Sequence, residues 1–194
     1  MKRDDLRAFL AEKPYDAMVL TSEISRRYAT GFHSTAGAVY LSAKQAVFFT
    51  DFRYVEAARA AVSDFEVRKI KAGQSYSALI NELIDTDGAK KIALEDKTLT
   101  YAEFMSWSTT LHGTAVRLED GVESLRIMKE DTEVEKIVAA QRIAEQALEE
   151  VLNDIKVGVT EKEIAARLTY LMLHYGAENM SFDPIVVSGA NSSK

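Results

Sequence analysis

The side chains able to do acid–base, nucleophilic or metal chemistry are few and scattered. The sequence has three histidines, His33, His112 and His174, and no cysteine. None of the three has a carboxylate or a second histidine at metal-ligand spacing on the same helix face. His112 and His174 fall near expected helix ends, where the helix dipole favours a cation. His33 differs. It lies in a loop from Gly31 to Gly37 that also holds Ser34 and Thr35, and loops are where functional groups collect. General acid–base work and a plain solvated loop histidine are both open for it. Asp51 and Arg53 stand where a strand runs into a helix, so Asp51 is expected to be an N-cap. Other acids, such as Asp4-Asp5, Glu149-Glu150, Glu161 and Glu163, belong to helix starts and solvated faces. No serine has a base at a recognisable spacing, and no glycine-rich phosphate loop is present. One stretch has the form of an approach to an active site, FDPIVVSGANSSK from Phe182 to Lys194. Its apolar run Ile185 to Val187 is expected to be a strand entering Ser188-Gly189 and the polar Asn191, Ser192 and Ser193.

Bulk properties narrow the classes. The 194 residues are 47% apolar and 28% charged with two prolines, which is globular rather than disordered. A net charge of −6 leaves no footprint for nucleic acid or anionic lipid. Without cysteine, disulfide and thiolate chemistry are excluded, and a reducing compartment is suited. The first ten residues carry Asp4, Asp5 and Arg7 where a signal peptide would be apolar. No apolar run approaches the roughly 20 residues of a membrane span. The expected location is the cytoplasm, with neither nucleic acid nor membrane as partner.

The elements that must position these residues alternate through the first half. Leu6, Phe9 and Leu10 share one face of a first helix. Strands are expected over 16–21, 38–42, 46–50, 65–71, 91–94 and 115–118, and helices over 53–62, 75–85 and 100–111, with a helical turn over 24–30. A hairpin at Lys44-Gln45 lacks its usual Gly or Asn. Thr100 and Glu103 make a capping box. Such an order predicts α/β architecture, a mixed sheet with helices on its faces. Glu119-Asp120-Gly121 is a polar break. Beyond it, Thr132/Glu135 and Thr160/Glu163 are expected to open two further capped helices, the first with Ile137, Ala140, Ala144, Leu148, Val151 and Ile155 on one face. A helix pair and one strand cannot bury that face. Burying one Leu or Ile is worth about 1.5–3 kcal/mol, so an open stripe marks an interface or a missing neighbour, and a second domain that is incomplete.

Taken in order, three motifs carry a resemblance: Tyr28-Ala29-Thr30-Gly31-Phe32, then Thr50-Asp51-Phe52-Arg53-Tyr54 with Glu56-Ala57-Ala58, then Phe182-Asp183-Pro184-Ile185-Val186-Val187-Ser188-Gly189-Ala190-Asn191. Lys129 with Glu133 and Glu135, and Lys156-Val157-Gly158-Val159-Thr160-Glu161, lie between the last two. The chain resembles the Xaa-Pro dipeptidase and aminopeptidase P family, which includes the creatinases. That resemblance implies a creatinase-type, ribonuclease H-like N-terminal domain over 1–122 and the start of a pita-bread α+β metallopeptidase domain over 123–194. It also implies a complete enzyme that cleaves the bond before proline in dipeptides or short peptides with metal-activated water. Two divalent metals (Mn, Co or Zn), held by two Asp, one His and two Glu, are implied beyond Lys194, so that this chain holds no metal ligand and no catalytic residue and is inactive alone. Phe182 and Ile185 match the wall of the pocket for the side chain preceding proline. His33 matches a loop that leans over the neighbouring subunit's active site in a homodimer. Asp51, Arg53 and Tyr54 are structural signatures. A creatinase, or a non-catalytic binding module like the peptidase-like subunit of a histone chaperone, shares the same front half.

Overall fold

The computed structural model describes residues 2–119 and 121–193. The chain divides into two compact units, Met1–Met128 and Lys129–Lys194. In the first, α1 (Lys2–Ala11), β1 (Ala17–Leu20), α2 (Glu23–Thr30), β2 (Ala38–Ser42), β3 (Ala46–Thr50), α3 (Val55–Ala61), β4 (Glu66–Lys69), α4 (Tyr76–Asp87), β5 (Lys91–Leu94), α5 (Tyr101–Thr110), β6 (Thr114–Arg117) and α6 (Gly121–Arg126) follow one another. The six strands form one sheet in the order β4-β3-β2-β1-β5-β6. β2 is antiparallel to both β1 and β3, and the other pairs are parallel. The expected α/β class and mixed sheet are present. The polar break survives as Glu119, whose φ of 59° reverses the chain; Asp120 lies outside the described residues.

The central strands are buried on both faces, and their alternation separates two cores. Met18, Leu20, Val39, Leu41 and Phe48 join Leu6, Phe9 and Leu10 of α1 and Val122 of α6. Ala17, Val19, Tyr40, Val47 and Phe49 join Ile80, Leu83 and Ile84 of α4, with Phe104 and Trp107 of α5 against them. Val122 and Leu125 thus pack with the first unit, although they stand at or past the boundary expected at residue 122.

The β2–β3 hairpin turns without a glycine because a hydroxyl does the work. Ser42 Oγ accepts from the N–H groups of Lys44 (3.1 Å) and Gln45 (2.9 Å) and donates to Asp87 Oδ2 (2.5 Å). The Asp87 carboxylate also accepts from Tyr40 Oη (2.9 Å) and Gln45 Nε2 (2.7 Å). Partial burial pushes this carboxyl up, but the hydrogen bonds from Ser42, Gln45 and Tyr40 together hold it below the usual carboxylate range.

Two local expectations are corrected. Asp51 does not occupy the N-cap: α3 starts at Val55 with Tyr54 as its N-cap residue. The Asp51 carboxylate instead accepts from the Arg53 N–H (2.9 Å) and its guanidinium, and its carbonyl takes the N–H groups of Tyr54 and Val55. His112 stands at the helix end as expected, one residue past the α5 C-cap Leu111, with Nδ1 3.0 Å from Asp85. In the second unit, α7 (Asp131–Val151) opens two residues earlier than a Thr132 cap would set it. Glu133 Oε2 accepts from the Glu130 N–H at 2.9 Å, so the box is Glu130/Glu133 and Thr132 falls inside the first turn.

A 3-10 turn over Leu152–Asp154 leads to α8 (Glu161–His174). The unit's core is small: Ala147, Val151, Ile164 and Leu171, with Leu168, Met172, Tyr175 and Val186 against it. Arg167 bridges Glu150 (2.6 Å) and Asp154 (3.0 Å) across the two helices. Most of the α7 stripe stays open, with Ile137 55%, Leu148 52% and Ile155 57% exposed. Amide exchange of the dilute chain is therefore expected to be slowest in β1, β2, β3 and β5 and faster across α7 and α8; equal protection in both units would contradict it.

A second prediction concerns Asp87. Asp87→Ala strips the partner from the buried Tyr40 hydroxyl, a loss of about 1–3 kcal/mol, read as a lower urea midpoint. The native carboxyl titrates below the unfolded one, so the unfolded chain takes up the proton first. The stabilisation is then full above the ordinary Asp pKa of about 4 and is lost as pH falls below it. The stability gap between the wild-type chain and Asp87→Ala should accordingly narrow in acid.

Candidate functional site

His33 is held by a fixed loop. Gly31, at φ 70°, ends α2 and donates its N–H to the Arg27 carbonyl. The buried Arg26 guanidinium then reaches forward to the Ser34 carbonyl at 2.6 Å and back to the Thr21 carbonyl. Burial pulls the Arg26 pKa down, against the nearby carboxylates of Glu23 and Glu95, which raise it. Phe32 tilts against Phe48 and meets Tyr54 edge-on, with centroids 6.3 and 6.4 Å apart. Thr35 Oγ1 lies 2.8 Å from Tyr54 Oη. At the end of the loop Gly37 admits no side chain, because a Cβ there would sit 2.7 Å from the Phe49 carbonyl oxygen. On this frame His33 points outward, about half exposed, with Nε2 2.7 Å from Glu23 Oε1. Nothing in the sequence singles out Glu23, since no local pattern links residues ten apart.

The second candidate region lies in the other unit. Between Asp183 and Val187 the chain is neither helix nor strand, and burial alternates from Pro184 to Val187. Val186 packs on the α7–α8 core. Phe182 (72%), Ile185 (81%) and Val187 (49%) are exposed. The expected strand over Ile185–Val187 does not form a ladder: every strand pair among the described residues belongs to the first unit's sheet. The described residues of the second unit are built into helices and offer no strand edge to pair with.

One carboxylate fixes the loop after Val187. Glu161, the first residue of α8, accepts from the Ser188 N–H (2.6 Å) and Ser188 Oγ (3.1 Å) through Oε1. Asn191 Nδ2 lies 3.1 Å from both of its oxygens. The hydrogen bonds from Asn191 first, and then from Ser188, hold the Glu161 carboxyl below the usual range. Glu161 is free for this because the helix is capped by others. The expected Thr160/Glu163 box is present, with Glu163 Oε2 accepting from the Thr160 N–H at 2.8 Å and Thr160 Oγ1 accepting from the Glu163 N–H at 3.3 Å. The sequence alone puts Glu161 on a solvated helix start and carries no local sign of its reach across 27 residues to Ser188.

His174, the last residue of α8, stacks on Tyr170 at 5.6 Å. Among the described residues, no three His, Asp or Glu side chains gather as a metal would require, and no helix is long and apolar enough to cross a membrane. The arrangement offers exposed apolar side chains at Phe182, Ile185 and Val187 ahead of a polar loop held by Glu161. It can line a cleft for an apolar side chain.

Comparison with known proteins gives the family. Residues 2–128 match the Creatinase/Prolidase N-terminal domain and residues 135–194 match metallopeptidase family M24. The uncharacterized peptidase YqhT of Bacillus subtilis is 34% identical over 194 residues, all of this chain and 54% of that protein. A Xaa-Pro dipeptidase of Pyrococcus horikoshii is 27% identical over 95% of this chain and 51% of its own length. Among solved structures, a Xaa-Pro dipeptidase from Bacillus anthracis superposes with a TM-score of 0.86 at 35% identity, over 94% of this chain and 51% of that one. A prolidase from Pyrococcus furiosus superposes with a TM-score of 0.82 at 26% identity, over 96% and 53%. The chain spans about half the length of the curated relatives it matches. It belongs to the Creatinase/Prolidase N-terminal domain family and continues, from residue 135, as sequence of metallopeptidase family M24.

Proposed function

We propose that this chain is the N-terminal part of a Xaa-Pro metallopeptidase that hydrolyses the bond before proline in dipeptides or short peptides. The observation that carries this reading is the order of the two family matches in a chain of which 95% aligns with 51% of a Xaa-Pro dipeptidase. In the complete enzyme Phe182 and Ile185 wall the pocket for the side chain preceding proline. Their exposure supports this, since such pockets are mostly apolar walls. The complete enzyme's pair of divalent ions (Mn, Co or Zn) belongs to its metallopeptidase family M24 part, with which residues 135–194 align. His33 serves a neighbouring subunit of a homodimer, where a loop histidine can hydrogen-bond a bound dipeptide's carboxylate.

The test uses the full-length gene product. Release of proline from Xaa-Pro dipeptides, abolished by a chelator and absent for Xaa-Ala, is expected, as is no release by residues 1–194 under the same conditions. Equal hydrolysis of Xaa-Ala, or turnover of creatine in place of Xaa-Pro, would replace the reading with another hydrolase. Binding of peptide without turnover at any metal would make it a non-catalytic module. His33→Ala in the full-length enzyme should lower kcat/KM by roughly tenfold, about 1.4 kcal/mol of transition-state binding, with an unchanged urea midpoint. Wild-type kcat/KM would remove His33 from the site.

A further inference from the structure

We propose that Glu161 is a positioning residue for substrate selection: its carboxylate fixes the Ser188–Asn191 loop and thereby the outward register of Ile185 and Val187. This rests on the reading of Ile185 as pocket wall. Three observations carry it. First, Glu161 alone gathers the Ser188 N–H, the Ser188 hydroxyl and the Asn191 amide, at 2.6, 3.1 and 3.1 Å. Donors from two residues three apart set both the position and the direction of the loop. Second, among the described residues the segment before the loop lies in no strand ladder, and Val186 seats it on the α7–α8 core two residues before Ser188. Third, the same helical turn holds a second carboxylate, Glu163, that performs the capping. Helix stability and loop position are thus assigned to different side chains two residues apart, and they can be separated by mutation.

The acceptor geometry is demanding. A carboxylate has no donor to offer, and both of its oxygens are used. Glu161→Gln keeps one acceptor oxygen and turns an NH2 group toward donors, so it loses part of the set. Glu161→Ala loses all of it. The loop keeps its own internal bonds, the Asn191 N–H to the Ser188 carbonyl (3.1 Å) and Ser193 Oγ to the Ala190 carbonyl (3.2 Å). It therefore shifts as a piece, carrying Val187 and Ile185 with it.

The experiment compares Glu161→Ala, Glu161→Gln, Glu161→Asp and Glu163→Gln in the full-length protein, reading kcat and KM for Phe-Pro, Met-Pro and Gly-Pro together with the urea midpoint. Glu161→Ala should raise KM at least fivefold for Phe-Pro and Met-Pro and shift the Phe-Pro to Gly-Pro ratio of kcat/KM by a similar factor. Glu161→Gln should fall between it and wild type, and Glu161→Asp should recover part of the ratio. Glu163→Gln should lower the urea midpoint and leave KM and the ratio at wild-type values. A purely structural role for Glu161 would only reduce the active fraction, lowering kcat with KM and the ratio unchanged, and that result would overturn the proposal, as would an equal ratio shift in Glu163→Gln. Amide exchange at residues 188–193 is measured alongside: it should accelerate at least tenfold in Glu161→Ala and stay unchanged in Glu163→Gln. If the wild-type protein turns over no Xaa-Pro peptide, the functional reading fails, and the exchange data still decide whether Glu161 holds the loop.

Discussion

The first unit hangs on a buried carboxylate. Glu95, at the end of β5, is 5% exposed and accepts from the N–H groups of Thr21 (2.5 Å) and Ser22 (2.8 Å) and from Ser22 Oγ (2.8 Å). One side chain thus ties the end of β5 to the end of β1 and to the start of α2. The Ser22 hydroxyl gives its proton to Glu95, which leaves its lone pairs to accept the Ser25 N–H as the helix cap. Arg26, one turn on and 4% exposed, is the nearby cation. Removing one member of a buried charge set costs about 3–5 kcal/mol, against about 0–1 kcal/mol for an exposed pair. Glu95 therefore fixes where α2 starts, and Arg26 ties that start to Ser34 in the loop carrying His33, a role the surface pairs do not share.

The two units solve burial differently. In the first, a six-stranded sheet takes helices on both faces and leaves Val19, Leu20, Leu41 and Phe48 fully inaccessible. The second has two helices and four fully or nearly buried apolar side chains. Its helices are held by caps and by the Arg167 bridge to Glu150 and Asp154. Helices of this kind gain most of their stability from packing an apolar face, and the faces of α7 and of the extended segment are left open. Openness at Ile137 and at Ile185 has one origin, an apolar surface larger than two helices can cover.

Much of this was legible in the sequence, where the signal was local. Period-2 and period-3.6 patterns located the strands and helices, and the Thr100/Glu103 and Thr160/Glu163 boxes fixed two helix starts because each needs only residues three apart. The same rule failed at Thr132/Glu135, where Glu130/Glu133 offered an equivalent spacing two residues earlier and won. Asp51 failed as a cap because its carboxylate found the Arg53 guanidinium two residues away. Apolar alternation at Ile185–Val187 predicted a strand, and no ladder includes it among the described residues, since pairing depends on an edge that the sequence does not encode locally. Glu23 beside His33 and Glu161 beneath Ser188 were invisible for that reason. Each is a contact between distant residues with no composition or spacing of its own.

The extended segment shows why such a contact matters. Side chains there alternate with period two, so a slip of one residue would turn Val186 outward and bury Ile185 and Val187. In a sheet, a ladder of backbone hydrogen bonds prevents that slip. Here the segment is held at two points. Val186 is seated among Ile164, Leu171 and their neighbours, and Ser188 is bound through its own N–H to Glu161. Moving the register by one would have to empty the apolar seat and break the carboxylate contacts together. Two anchors two residues apart, one apolar and one ionic, therefore do for this segment what a strand partner does for β1.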